Sequence, residues 1–218
     1  MTREQVVKLG YFTSMQRANA RLLLMRNAGL LHLVRLNPSL DTRQHLYSVA
    51  RSATDFLDSK IASLLTARSV TPRHVDHALA TVNMRIELMR LGMTRWLPEP
   101  QIRHRYSRNA GVSTRIEEFR PDGLAKFGSD CVFVEIDRGH VSSPRMKVKL
   151  GTYRAYVRHG PFKATYEQDQ ATLLIVTTGR IRKRHIERHL SAASPVAVAV
   201  ETFESLSRIS SLAEVRFQ

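Results

Sequence analysis

Arg120-Pro121-Asp122-Gly123, followed by Asp130-Cys131-Val132-Phe133-Val134-Glu135-Ile136-Asp137, is the stretch on which the reading of this chain turns. The second segment reads as an apolar strand that ends in acids. Side chains alternate along a strand, so Glu135 and Asp137 share one face and Val134 and Ile136 the other. The apolar pair is expected to meet the core. Carboxylates on such a strand are costly to bury, and they persist where they bind something. Asp122 and Glu135 lie about a strand length apart, which suits adjacent antiparallel strands that present both carboxylates to one point. Downstream, Lys147 and Lys149 fall in a helix expected over Pro144–His159, where Lys149, Tyr153 and Tyr156 line one face. Paired carboxylates can hold Mg²⁺ or Mn²⁺, which activates water and neutralises charge in phosphodiester cleavage. A lysine beside that water orients it or screens charge. Asp122, Glu135 and Lys149 are therefore the candidate catalytic residues, with Lys147 the weaker lysine. Glu99, Asp122, Glu135 and Asp137 are the candidate metal ligands. The cofactor is Mg²⁺ or Mn²⁺ if the cluster is active, and none otherwise. In the competing reading, Lys149 and the tyrosines dock the helix on the sheet or touch a phosphate.

The rest of the chain sets the context for that cluster. Its 218 residues suffice for one large or two small domains. An apolar fraction of 43% is ordinary for a globular protein. The formal net charge is +15 and the pI about 10.8, which favours a polyanionic partner over small neutral substrates. Most cations are arginine, suited to bidentate contacts with phosphates and guanine edges. No apolar run approaches the roughly 18 residues that span a bilayer, so no membrane partner is expected. Met1 to Lys8 lacks the apolar core of a secretory signal, and the lone Cys131 excludes an internal disulfide or a cysteine-rich zinc site. A cytoplasmic protein is expected.

The amino-terminal part reads as helix, helix and hairpin. A short helix from Thr2 to Lys8 ends near Gly10, and Thr13 or Ser14 caps a second helix to Asn27. Its apolar stripe is Met15, Ala18, Leu22 and Met25, and Gly29 takes the left-handed cap position. Leu30–Leu36 and Arg43–Val49 read as strands around Asn37-Pro38-Ser39. That order is a winged helix-turn-helix, with Arg17, Arg21, Arg26 and Arg43 on the DNA side. The second helix enters the major groove, and the tip at Pro38–Thr42 lies over a backbone or minor groove. A solvated charged face is the alternative for those arginines. Such modules carry a further helix, to be supplied by a later helix or a partner chain.

Residues 52–70 read as a helix with Phe56, Leu57, Ile61, Leu64 and Leu65 inward. Pro72 opens another, to about Leu91. His74 and His77 share a face there without a third ligand, so they read as surface or capping histidines. From Trp96 onward strands appear at Gln101–Tyr106, Arg115–Phe119, Asp130–Asp137, Ala171–Thr177 and Val196–Thr202. A helix over Thr178–Leu190 and a final short helix and strand complete the pattern. Arg180, Arg182, Lys183 and Arg184 open the first of these helices after Thr177-Thr178-Gly179, a setting suited to DNA phosphates. The fold class is α+β: a winged helix over 1–70, a connecting helix over 71–97, and a mixed α/β domain over 98–218.

Residues 119–137 resemble the motif region of the PD-(D/E)xK nuclease superfamily. The chain departs from it by carrying Glu135-Ile136-Asp137 where that motif has Glu-x-Lys. More broadly, residues 10–180 resemble the replication-relaxation family of plasmid and mobile-element proteins. Four places carry the likeness. They are Thr13-Ser14 through Gly29-Leu30-Leu31; His77 to Asn83; Trp96-Leu97-Pro98-Glu99 with Arg120-Pro121-Asp122-Gly123; and Phe133 to Gly139 with Lys149, Leu150 and Tyr153. The resemblance implies an amino-terminal winged helix, a carboxy-terminal domain with a restriction-endonuclease-like fold, and a role at a plasmid origin, transfer site or promoter. It implies double-stranded DNA as partner, with a second copy of the chain and a relaxase or replication protein as candidate protein partners. A metal-dependent endonuclease or nickase and a dimeric winged-helix transcription regulator are the rival readings.

Overall fold

The computed structural model describes residues 1–34, 45–57, 59, 72–110, 113–139, 141–190 and 194–218. It is mixed α+β and divides into two units, Met1–Ile86 and Glu87–Gln218.

In the first unit, α1 (Arg3–Lys8) starts at Thr2, whose side chain accepts from the Gln5 amide while Gln5 reaches back to the Thr2 amide. This reciprocal box satisfies two amides that the first turn leaves open. Helix α2 (Met15–Asn27) is capped by Ser14 and ends at Gly29, whose φ of 74° suits glycine. Strands β1 (Leu31–Val34) and β2 (Leu46–Val49) pair antiparallel, Leu31 opposite Val49 and Val34 opposite Leu46. Met1 and Tyr47 exchange backbone hydrogen bonds at 2.9 Å, which ties the chain start to β2. The long helix α3 (Pro72–Arg90) follows. The buried Gln5 amide donates to Leu79 O at 3.2 Å and Asn83 Oδ1 at 2.8 Å, so a later helix packs with α1. Val6, Ala18, Leu22, Leu46, Ala53 and Met84 are buried in this unit.

Two expectations fail in this unit. Residues 51–56 form a 3₁₀ turn that leaves Phe56 80% exposed, so Phe56 does not point inward. The α2 stripe narrows to Ala18 and Leu22, because Met25 is exposed beyond the reach of the small core. The expected hairpin tip at Pro38–Thr42, Arg43, and Ile61, Leu64 and Leu65 all lie outside the described residues, as does the His74 side chain.

The second unit is built on a five-stranded sheet of order β3-β6-β7-β8-β9. Its strands are β3 (Arg95–Pro98), β6 (Gly123–Phe127), β7 (Asp130–Asp137), β8 (Ala171–Thr177) and β9 (Val196–Thr202). The β3–β6 and β6–β7 pairs are antiparallel, while β7–β8 and β8–β9 are parallel. Between β3 and β6 run a one-turn helix α4 (Glu99–Ile102) and a separate two-stranded ribbon, β4 (His104–Ala110) with β5 (Ser113–Phe119). The expected strand at Gln101–Tyr106 therefore begins only at His104: Gln101 and Ile102 close a helix whose first turn holds Pro100, where its missing amide costs nothing. Helices α5 (Ser143–His159) and α6 (Phe162–Tyr166) link β7 to β8, and α7 (Arg180–Glu187) links β8 to β9. Helix α8 (Phe203–Arg208) follows β9, and the expected final strand is instead a 3₁₀ turn at Leu212–Glu214.

The core of this unit gathers Cys131, Phe133, Leu173, Ile175, Val198 and Val200 with Met146, Leu150, Tyr153 and Tyr156 of α5. Phe119 stacks on Tyr156 at 3.8 Å and meets Phe133 and Tyr153 edge-on, contacts worth about 0.5–1.5 kcal/mol each beyond burial. Alternation puts Glu135 on the face of Cys131 and Phe133, the helix-covered one. The expectation that only the Val134 and Ile136 face meets the core is thus corrected: β7 is buried from Cys131 to Asp137 on both faces, as parallel strands under crossover helices are.

A candidate acidic and basic site on the central strands

Asp122 ends the turn before β6, and the antiparallel register sets it opposite Glu135 of β7. Its Oδ2 accepts the Ile136 amide at 2.8 Å, fastening the carboxylate to the neighbouring strand. Glu135, 3% exposed, takes the Tyr153 hydroxyl on Oε1 at 2.6 Å and pairs through Oε2 with the Lys149 ammonium. Lys149 and Tyr153 lie one helical turn apart on α5, so one face of that helix supplies both partners. The structure thus brings Asp122, Glu135 and Lys149 together. Lys147 points elsewhere and is exposed.

Burial pushes the Glu135 carboxyl up to about 8; Lys149 and Tyr153 oppose that rise, and Asp122 adds to it. Burial works against the Lys149 cation too, but Glu135, Asp122 and Asp137 outweigh it and raise the lysine pKa. Tyr153 is raised well above the usual phenol value, first by burial and then by Glu135. The group is a proton-holding carboxyl clamped between a cation and a phenol. Beside it, Glu135, Asp137, Val141, Lys149 and Tyr153 border a crevice of about 20 Å³, room for about one water.

The other two acids are also engaged. Asp137, 2% exposed on its side chain, receives Arg182 Nε at 2.6 Å and Thr177 Oγ1 at 3.1 Å on Oδ2. Its Oδ1 receives Arg182 Nη2 and the Gly139 amide, both at 3.3 Å. Glu99 Oε1 pairs with Arg120 Nε at 2.9 Å. Directly beside Asp122, the Trp96 ring crosses Gly123 so closely that a Cβ there would lie 2.1 Å from it. Trp96–Glu99 and Arg120–Gly123, far apart in sequence, are therefore one physical junction.

An ion such as Mg²⁺ needs carboxylate oxygens free to face it together with waters. Here both oxygens of Glu135 and of Asp137 face protein donors. Among the described residues no three His, Cys, Asp or Glu side chains gather as a metal site. In this arrangement the Glu135 and Asp137 oxygens are engaged by lysine, arginine, tyrosine and threonine.

The basic residues divide by exposure. Arg17, Arg21 and Arg26 are exposed on α2. Arg180 and Arg184 are exposed on α7, but Arg182 is committed to Asp137 and the Val141 carbonyl. Lys183 is held by Glu201 at 2.9 Å. Sequence reasoning missed these pairings, and Arg120 with Glu99, because no local pattern links partners 18 to 45 residues apart. The only readable signal was like spacing of acids on strands and cations on helix starts.

No helix among the described residues is long and apolar enough to cross a membrane. A family model described as replication-relaxation matches residues 1–170. No curated protein and no solved structure matches the chain.

Proposed function

The chain belongs to the replication-relaxation family, and from that premise we propose that it binds double-stranded DNA at an origin, transfer site or promoter of a plasmid or mobile element. The observation that carries this reading is the outward face of α2. Only Ala18 and Leu22 of that helix are buried, so Arg17 and Arg21 stand one turn apart on an exposed surface in a protein of net charge +15. The order α1, α2, β1, β2 is that of a winged helix-turn-helix, in which the second helix enters the major groove. Arg26, also exposed on α2, extends the same interface. The second unit is a nuclease-like domain of restriction-endonuclease type, in which Glu135 is held by Lys149 and Tyr153 and Asp137 by Arg182.

The test is a salt titration of duplex binding by fluorescence anisotropy. Each phosphate contact contributes about 0.9 to the slope of log affinity against log salt. Arg17→Ala with Arg21→Ala lowers affinity and flattens that slope by up to about 2; unchanged affinity and slope reject the reading.

A second reading, divalent-dependent cleavage by Asp122, Glu135 and Lys149, is favoured by their convergence. Nicking of supercoiled DNA with Mg²⁺ or Mn²⁺ that disappears in Asp122→Ala would establish it, and no nicking with either ion would remove it. A dimeric regulator instead gives an inverted-repeat footprint insensitive to metal. Mixing the chain with the relaxase or replication protein of its element tests the remaining partners.

A further inference from the structure

Helices α5 and α7 both cover the core face of the sheet, and a second basic cluster lies where they meet. Arg188 Nη2 donates to His185 Nδ1 at 3.0 Å, and His185 Nε2 meets Ser143 Oγ at the start of α5. An arginine only donates, so Nδ1 accepts and Nε2 keeps its proton for the serine oxygen. Ser143 is therefore no activated nucleophile. What the bond does is orient Arg188, spending one donor and leaving the rest of the guanidinium outward. The His189 ring stands perpendicular to His185 at 5.5 Å. Burial first, and then Lys147, His185, Arg188 and Arg182, hold the His189 pKa below the usual histidine value.

The acids nearby are already engaged. Asp137 holds Arg182, and Glu187 faces Lys183 at 3.9 Å. Among the described residues Lys147, Arg184 and Arg188 pair with no carboxylate, and all three are exposed. Arg184 and Arg188 lie one turn apart, so the outer face of α7 continues the cluster. Uncompensated cations that share one surface repel one another, a cost that a chain of regularly spaced anions removes.

We propose that Lys147, Arg184 and Arg188 form a phosphate-gripping shoulder on the second unit, giving the chain a DNA contact separate from α2. The proposal rests on the DNA-binding reading above and deepens it. The shoulder holds backbone phosphates without reading bases, because its cations stand on exposed helix surface rather than on an element that enters a groove. The duplex bound by such a chain has an α2 contact that selects sequence and a shoulder contact that adds affinity on any sequence.

The experiment compares three full-length proteins on duplexes of random sequence by anisotropy across a salt series. They are the natural chain, Lys147→Ala/Arg184→Ala/Arg188→Ala, and Arg17→Ala/Arg21→Ala. Removal of the shoulder is expected to weaken binding at least tenfold at low salt and to flatten the salt slope by about 2–3, at about 0.9 per phosphate lost. Thermal melting first checks that the triple variant is folded; Lys147→Gln/Arg188→Gln is the substitute if it is not. A shoulder variant that binds like the natural chain while the α2 variant is weakened overturns the shoulder alone. Loss only in the shoulder variant upholds the shoulder as the contact that acts on any sequence. Absence of binding by the natural chain overturns both. Weakened binding with an unchanged salt slope also overturns the shoulder, and directs attention to an acidic protein segment as its occupant.

Discussion

Replacing Glu135 by Gln should change how the second unit's stability depends on pH, and the sign follows from burial. The carboxyl titrates near 4.5 when exposed and near 8 in the fold. Below about 4.5 both folded and unfolded chains hold the proton, and its stabilising contribution is fully present. As pH rises from 4.5 to 8 the unfolded chain releases a proton that the folded chain keeps, so stability falls by about 1.4 kcal/mol per pH unit. The fall ends near 8 and sums to something on the order of 5 kcal/mol, an upper figure for one deeply buried group. Glutamine does not titrate. Removing the Lys149 partner adds an offset, but that offset does not vary with pH while the lysine stays charged. The stability of Glu135→Gln relative to the natural chain should therefore improve steadily between pH 5 and pH 8. The assay is urea unfolding followed by fluorescence of Trp96, the single tryptophan, which lies in β3 of this unit. Tyr153→Phe removes a hydrogen bond that favours the ionised carboxylate, so it should extend the fall to higher pH. Parallel stability curves for Glu135→Gln and the natural chain would refute the argument. Parallel curves over that range are what a Glu135 kept ionised by Lys149 would give.

Arg182→Ala leaves the Asp137 carboxylate buried without its guanidinium, and thermal or urea unfolding should show about 3–5 kcal/mol lost. Its DNA affinity, measured where the variant is still folded, should match the natural chain, since Arg182 faces inward. Gly123→Ala drives a Cβ into the Trp96 ring and should cost about 1–3 kcal/mol, with a changed Trp96 emission; an unchanged spectrum and midpoint would contradict the junction. Gln5→Ala removes two hydrogen bonds to α3 and leaves Asn83 short of a donor, so the first unit should lose about 1–3 kcal/mol in urea unfolding.

Local chemistry made parts of this structure legible in the sequence. Ser14 as cap, Gly29 at positive φ, and the apolar runs of β8 and β9 all announce themselves within a few residues. The same holds for Asp122, Glu135 and Lys149, because strand alternation and helical spacing restrict where each side chain can point. Strand β6 was missed: Gly123 and the turn at Gly128-Ser129 break its pattern, and only pairing with β3 and β7 makes it a strand. Strand β3 hides for the same reason, being four residues that end in a proline. Phe56 was misplaced because helical periodicity was read across a segment that tertiary contacts fold as a 3₁₀ turn. The face occupied by Glu135 was misjudged by a sound rule. Acids seek water, but here a helix supplies the lysine and the phenol that let one stay dry.

That dryness explains how a protein with 34 lysines and arginines against 19 acids distributes its charge. In the second unit four acids act as staples: Glu135 with Lys149 and Asp137 with Arg182, both acids buried, and Glu99 with Arg120 and Glu201 with Lys183, both acids partly exposed. Each joins elements distant in sequence, and the first two withdraw their carboxylates from the surface. Exposed ion pairs contribute little to stability, whereas a buried acid stripped of its cation is a large loss, so these pairs resist substitution for reasons of folding alone. Among the described residues, Arg17, Arg21 and Arg26 of α2 and Lys147, Arg184 and Arg188 of the shoulder are exposed and have no such partner. The exposed cations of α2 and of the α5–α7 shoulder, in a chain of net charge +15, present a positive field that attracts polyanions.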